Sequence, residues 1–241
     1  MKERRDIKLF IDFDGTITIK DVGEEIFKRF GKEQIVNRII EDLLSDKISS
    51  RQCWDQLCES VDNITEQELS DFINTLEIDP TFIPFVEFCK ENNLEIIVLS
   101  DGFDFYIERL FNKAGLTGIK YYSNKLFLNE DGRLSAAYPH FDIDSPTSAN
   151  CKKNHIINHS SDDDYTIYIG DGNSDKEAAQ YCDFIFAKNG LLKFCSKEKI
   201  GFYPFNNFDD VKIKIIELLN KKNLKKRHQA ELKRKSAYMA E

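Results

Sequence analysis

Two aspartates, Asp12 and Asp14, close an apolar run that begins at Lys8 and is followed at once by Gly15 and Thr16. Residues two apart on a strand share a face. Once the chain leaves the strand near Gly15, both carboxylates can be brought around one centre. Two carboxylates at one point repel unless a proton or a cation lies between them. Two further polar clusters also follow apolar runs: Ser100-Asp101-Gly102 and Gly170-Asp171-Gly172-Asn173-Ser174-Asp175. Adding Asp171 and Asp175 to the first pair gives four carboxylates with hard oxygen donors only, a set that suits magnesium. Such an ion would neutralise a bound phosphate and a carboxylate attacking it. The glycines within the clusters, Gly102 among them, let backbone N–H groups approach an anion. Each piece alone is commonplace. Asp-x-Asp pairs occur in many loops, Ser-Asp-Gly is an ordinary turn, and Gly-Asp-Gly-Asn-Ser-Asp could be a calcium-type loop. Their order, each behind a strand, is what points to a site.

The elements that must position these residues follow from hydrophobic spacing. Short buried strands are predicted at 8–14, 94–100, 165–171 and 183–187. Helices are predicted over 81–93, over 103–115 with Gly115 as C-cap, over 151–159 and over 174–182. This alternation predicts an α/β fold, a Rossmann-like parallel sheet with helices on both faces. Ligands bind such sheets beyond the carboxyl ends of the strands. Segments about 90 and 70 residues apart in the chain would therefore meet at one crevice. Residues 120–138 read as a β-hairpin turning at Glu130-Asp131-Gly132-Arg133, and 140–150 as a loop. Residues 17–77 break the alternation. They carry four successive stretches of helical periodicity, and Thr65 with Glu68 has capping-box spacing. Asp79-Pro80 then stops the helical pattern. The economical reading is an insert after the first strand.

Phe10-Ile11-Asp12-Phe13-Asp14-Gly15-Thr16, Ser100, Lys152 and Gly170 to Asp175 resemble the four ordered motifs of the haloacid dehalogenase superfamily, over roughly residues 7–205. The helical insert is similar to the small cap of the phosphoserine-phosphatase-like branch. Ser100 to Tyr106, Tyr138-Pro139-His140 and Asn150-Cys151-Lys152 resemble the methionine-salvage phosphatases, which act on 2-hydroxy-3-keto-5-methylthiopentenyl-1-phosphate. Phosphocholine and phosphoethanolamine phosphatases share parts of the pattern. The resemblance implies a core domain at 1–16 and 78–220, a helical cap at 17–77 and a basic tail at 221–241. It further implies a magnesium-dependent phosphatase. Asp12 would be the nucleophile, and Asp14 the acid and then the base, its carbonyl also on the metal. Asp171 would be a metal ligand, and Asp175 a ligand or an acceptor holding the site. Ser100 and the N–H groups of Asp101 and Gly102 would bind phosphate, and Lys152 would pair with Asp12, with Lys153 as its rival. Asp21 and His140 are candidates for substrate specificity. Asp21 reads equally as a helix N-cap, and His140 as a local hydrogen-bonder.

Several departures and alternatives bear on the substrate. No Arg stands where a serine carboxylate would be clamped, and Arg51 reads as part of a solvated face. Phe27, Phe30 and Trp54 read as cap core. Cys151 alone remains of the several cysteines the salvage enzymes carry before their lysine. A phosphotransferase or mutase would keep Asp14, and a degenerate binding module is the non-enzymatic alternative. The net charge of −8 argues against a nucleic-acid partner. A small phosphorylated metabolite remains compatible, because a bound metal reverses the local field. No apolar run reaches the roughly 20 residues a membrane span needs, and the charged start lacks the pattern of a secretory signal. The expectation is a cytoplasmic protein. Its six cysteines, at 53, 58, 89, 151, 182 and 195, read as buried free thiols. The basic 221–241 segment reads as a solvated or frayed terminal helix, with contact to an acidic partner or membrane surface as the alternative.

Overall fold

The structure, a computed structural model, describes residues 6–239. Residues 1–5 of the expected core and 240–241 of the basic tail lie outside the described residues. In chain order the elements are β1 (Ile7–Asp12), α1 (Val22–Phe30), α2 (Glu33–Leu44), α3 (Ser50–Glu59), α4 (Glu66–Ile73), α5 (Phe82–Glu91) and β2 (Glu95–Phe103). There follow α6 (Asp104–Lys113), β3 (Lys120–Leu128), β4 (Leu134–Ala137), α7 (Lys152–Asn158), β5 (Tyr165–Gly170), α8 (Asp175–Ala179) and β6 (Phe184–Ala187). The chain ends with α9 (Asn189–Lys197), β7 (Tyr203–Pro204), α10 (Phe208–Asn220) and α11 (His228–Tyr238). The seven strands form one sheet in the order β4-β3-β2-β1-β5-β6-β7. β1 pairs in parallel with β2 and with β5, and β5, β6 and β7 continue in parallel. β3 and β4 form the expected antiparallel hairpin. The α/β expectation is met.

The chain divides into two compact units, one of Met1–Asp12, Asp79–Leu99 and Lys152–Glu241, the other of Phe13–Ile78 and Ser100–Cys151. In the first unit, the strands are near-continuous apolar runs because both sheet faces are covered. Leu9, Phe10, Ile11, Ile97, Val98 and Ile169 are all fully buried. α10 closes on α5 through Phe208, whose ring lies 4.8 Å from that of Phe82 and 5.1 Å from that of Phe85. Asp12 pairs with Leu99 in register, and Ile11 with Ile169. β1 thus has a strand on each side, the arrangement of a topological switch point, and Asp12 is its carboxyl end.

The second unit holds α1 to α4 together with α6 and the hairpin. The capping box of α4 is present in both directions, Thr65 with Glu68, and α3 has a second one, Ser49 with Gln52. The sequence division set 17–77 apart from 78–220, whereas here the helical segment is tied to residues 100–151 by hydrogen bonds. Ser50 N donates to Thr147 O at 2.9 Å and Ile64 N to Gly132 O at 3.0 Å. Tyr138 Oη donates to Asp55 at 2.6 Å, and Lys113 Nζ to Asn74 O at 2.6 Å.

Four local expectations are corrected. β1 ends at Asp12 rather than Asp14, because the chain turns through Phe13–Ile17 with Gly15 at φ 72°. β2 runs on to Phe103, so Ser100 to Gly102 lie within it and not past its end. The side-chain amides of Asn150 and Asn124 donate to Ser100 O at 2.8 Å and Asp101 O at 2.6 Å and so extend its pairing. The basic tail is not a frayed solvated helix. α11 buries Arg234 completely, and its guanidinium pairs with Asp183 at 3.1 Å. Arg51, expected on a solvated face, is half-buried and lies over the Phe141 ring at 4.3 Å. All six cysteines are buried free thiols, as expected. Among the described residues no helix is long and apolar enough to cross a membrane.

Candidate active site

In the first unit β1 delivers Asp12, α7 begins with Lys152, and the turn after β5 carries Asp171 to Asp175. Lys152 Nζ donates to Asp12 Oδ1 at 2.5 Å, to Asp175 Oδ1 at 2.7 Å and to Ser174 Oγ at 3.1 Å. Asp12, Lys152 and Asp175 are all buried. Burial alone would lower the Lys152 pKa, but the carboxylates of Asp12 and Asp175 outweigh it and hold the ammonium charged. Burial, then Asp175, push the Asp12 carboxyl well above its ordinary range, with Lys152 opposing and Asp171 adding to the rise. Lys188 adds a second cation on which the charges of Asp171 and Asp12 act, so three carboxylates still outnumber two ammoniums. Asp12, Asp171 and Asp175 each offer an oxygen within 4.8 Å of the others, a set that a divalent cation would bind and neutralise.

Asp175 is fully engaged. Its Oδ1 accepts from Lys152 and from Tyr168 Oη at 2.6 Å, and its Oδ2 accepts from Asp171 N at 3.0 Å and Gly172 N at 2.9 Å. A carboxylate has about four lone-pair sites, so four donors leave Asp175 as the group that orients the turn and the lysine. Asp12 and Asp171 are then the carboxylates suited to a metal, and Asn189 Nδ2 steadies Asp171 Oδ2 at 3.1 Å. The oxygen-only donor set fits magnesium. Lys153 turns away to pair with Glu177 at 3.1 Å.

The second unit positions Asp14. Its Oδ1 accepts from Val22 N, at the start of α1, at 3.0 Å. Its Oδ2 accepts from Tyr106 Oη at 2.8 Å and from Ser100 Oγ at 3.1 Å. Ser100 Oγ also accepts from Gly102 N at 3.0 Å. Burial, then Asp14, hold the Tyr106 phenol well above its usual range, so it stays a donor. Asp101 turns inward: its Oδ1 accepts from Ala149 N at 3.1 Å and Asn150 N at 2.8 Å, and its Oδ2 accepts from Ser50 Oγ. Its carboxylate thus clamps the loop before Lys152 and the start of α3. Asp21 caps α1, accepting from Glu24 N at 2.8 Å. His140 lies edge-on to Tyr122 at 5.4 Å, and its carbonyl accepts from Cys151 N at 3.0 Å. Burial lowers the His140 pKa, and Lys125 adds to the fall. Trp54 packs against Phe103 at 4.9 Å and Phe27 at 5.8 Å, in keeping with a cap-core role.

Sequence reasoning missed Tyr106, Tyr168, Asn124 and Asn150 as supports of these carboxylates and of the strand end. Tyr106 and Asn150 sat inside quoted motifs but carried no assigned role. A buried tyrosine with no hydrophobic-face partner rule to place its hydroxyl leaves no signal in spacing alone.

The family described as Putative Phosphatase matches residues 7–202. The chain belongs to that family. It is 32% identical over 220 residues to a protein of Bacillus cereus (strain AH820) named 2-hydroxy-3-keto-5-methylthiopentenyl-1-phosphate phosphatase, covering 90% of this chain and 99% of that one. It is also 32% identical over 222 residues to Pdp3-interacting factor 1 of Schizosaccharomyces pombe, covering 88% of this chain and 95% of that one. The fold is similar to a solved phosphoserine phosphatase carrying a phospho-aspartyl intermediate analogue, with TM-score 0.66, 18% identity, and 88% and 99% of the two chains covered. The protein is a phosphatase.

Proposed function

We propose that this phosphatase hydrolyses a small phosphomonoester through an aspartyl-phosphate on Asp12, with magnesium as cofactor. The observation that carries this reading is the hold of buried Lys152 on Asp12 Oδ1, with Asp171 and Asp175 alongside. Lys152 occupies Oδ1, so attack comes from Oδ2. The Asp12–phosphorus bond forms as the ester P–O bond breaks, and Asp14 gives its proton to the departing oxygen. Asp14, now a carboxylate, takes a proton from water. The water oxygen bonds to phosphorus, the Asp12–phosphorus bond breaks, and inorganic phosphate leaves with Asp14 protonated again. Lys152 offsets charge on the transferring group. Asp12 and Asp171 would hold magnesium, which would supply neutralising charge to phosphate and nucleophile.

For the substrate we propose a small keto-alcohol phosphate of the 2-hydroxy-3-keto-5-methylthiopentenyl-1-phosphate kind. The relative so named, similar over almost its whole length, supports this. The missing Arg clamp argues against phosphoserine. The helical segment 17–77 would act as the specificity cap, with Asp21 and His140 as candidate contacts. The test is phosphate release from a panel of salvage-type ester, phosphoserine, phosphocholine and p-nitrophenyl phosphate, with magnesium and with EDTA. Magnesium-dependent release with preference for the salvage-type ester is expected. Magnesium-dependent release that favours another ester would overturn the substrate, and transfer of phosphate to an added alcohol in place of release would overturn hydrolysis.

A further inference from the structure

We infer that Tyr106 is a positioning residue that fixes the carboxylate of Asp14 for proton delivery, and that Gly102 lacks a side chain in order to admit the Tyr106 phenol. The inference rests on the proposed role of Asp14 as acid. Tyr106 lies in the first turn of α6 and is fully buried, its ring stacked on Phe13 at 5.9 Å and edge-on to Phe103 at 6.4 Å. A ring packed on two sides has little rotational freedom, so its hydroxyl has a fixed place. That place is 2.8 Å from Asp14 Oδ2. A Cβ built on Gly102 would fall 1.5 Å from Tyr106 Oη and 2.7 Å from Asp14 Oδ2. No other residue type at 102 leaves room for the phenol to reach Asp14. The glycine that sequence reasoning assigned to phosphate approach has this second, steric duty.

Three donors reach the two oxygens of Asp14 differently. Val22 N–H is a backbone group and can only donate, so Oδ1 stays an acceptor. Oδ2 accepts from two hydroxyls, those of Tyr106 and Ser100. Oδ2 is therefore the oxygen on which two hydroxyls converge, and Tyr106 sets its direction. A leaving alkoxide needs the proton of Asp14, whereas p-nitrophenolate departs without one. Loss of the Tyr106 hydroxyl should act on the first kind of ester and spare the second.

The experiment compares kcat/KM of wild type and Tyr106→Phe, in magnesium, on an alkyl phosphate and on p-nitrophenyl phosphate. The expected result is a loss on the alkyl ester about tenfold larger than on p-nitrophenyl phosphate, of the order given by general acid catalysis. Asp14→Asn should show the same leaving-group bias, and the Tyr106→Phe, Asp14→Asn double variant no more than Asp14→Asn alone, because the two act through one group. Equal losses on both esters, no loss, or additive losses would overturn the inference. Tyr106→Leu, which also lacks the hydroxyl, serves if the Phe variant does not fold. Wild type inactive on both esters would overturn the phosphatase mechanism itself, a result separate from any pattern among the variants.

Discussion

Replacing Arg234 by Met tests whether the C-terminal helix is held by a buried charge. The guanidinium donates from Nη2 to Asp183 Oδ1 at 3.1 Å and Oδ2 at 3.3 Å, and from Nη1 to Thr166 Oγ1 at 3.0 Å and Tyr181 O at 2.5 Å. Met fills a similar volume without the charge, so the loss is electrostatic and not a cavity. Removing one partner of a buried pair costs about 3–5 kcal/mol, because the other charge is left uncompensated. Asp183 would keep three donors, Thr166 N, Thr166 Oγ1 and Arg227 N. That places the loss near the low end, about 3 kcal/mol. For a chain of this size each kcal/mol lowers the melting temperature by about 2–4 °C, so a fall of about 6–12 °C is expected. Circular dichroism melts of Arg234→Met, Asp183→Asn and the double variant measure it. The double variant should lose less than the sum, since neither charge is then stranded. A fall under about 2 °C, or simple additivity, would refute the buried clamp.

Lys152→Met removes the ammonium on Asp12 and should lower kcat by about 10²–10³-fold, while Lys153→Met, whose partner Glu177 is exposed, should stay within a few-fold. Similar losses in steady-state phosphate release would reverse the assignment of the site lysine. Gly102→Ala forces a methyl onto the Tyr106 hydroxyl, and should cost at least about tenfold in kcat and lower the melting temperature; a wild-type rate would contradict the close approach. Burial pushes the thiols of Cys53, Cys58, Cys89 and Cys182 up to about 12. At pH 8 that leaves a thiolate fraction of about 10⁻⁴. An aromatic disulfide reagent should therefore titrate no thiol rapidly in the native protein and all six after denaturation. A fast-reacting native thiol would show that one of these sites is open.

The strands at β1, β5 and β6, the hairpin, and the four helices of 17–77 were readable because each is a local pattern. Period two or continuous apolar runs mark strands, spacing of three and four marks helices, and the Thr65–Glu68 cap lies within one turn. The meeting of Asp12, Lys152 and Asp171 at one place was anticipated by motif order. β1 ends where Gly15 turns the chain at φ 72°, a local turn that the apolar run masks. The extension of β2 is supported by side chains far along the chain, Asn124 and Asn150 among them. The frayed reading of 221–241 came from its charge alone, but a buried Asp183 turns one of those charges into an anchor.

The sequence by itself determined the fold class, the family and the identity of the acidic residues, since these follow from local periodicity and from residues in fixed order. Only the tertiary structure decided how those acids are divided. Asp175 is spent on four donors, Asp101 on a loop clamp, and Asp14 is held by Tyr106, Ser100 and the start of α1. The reason is that a carboxylate's role is set by which donors saturate it, and those donors come from sequence-distant segments whose meeting no local pattern encodes.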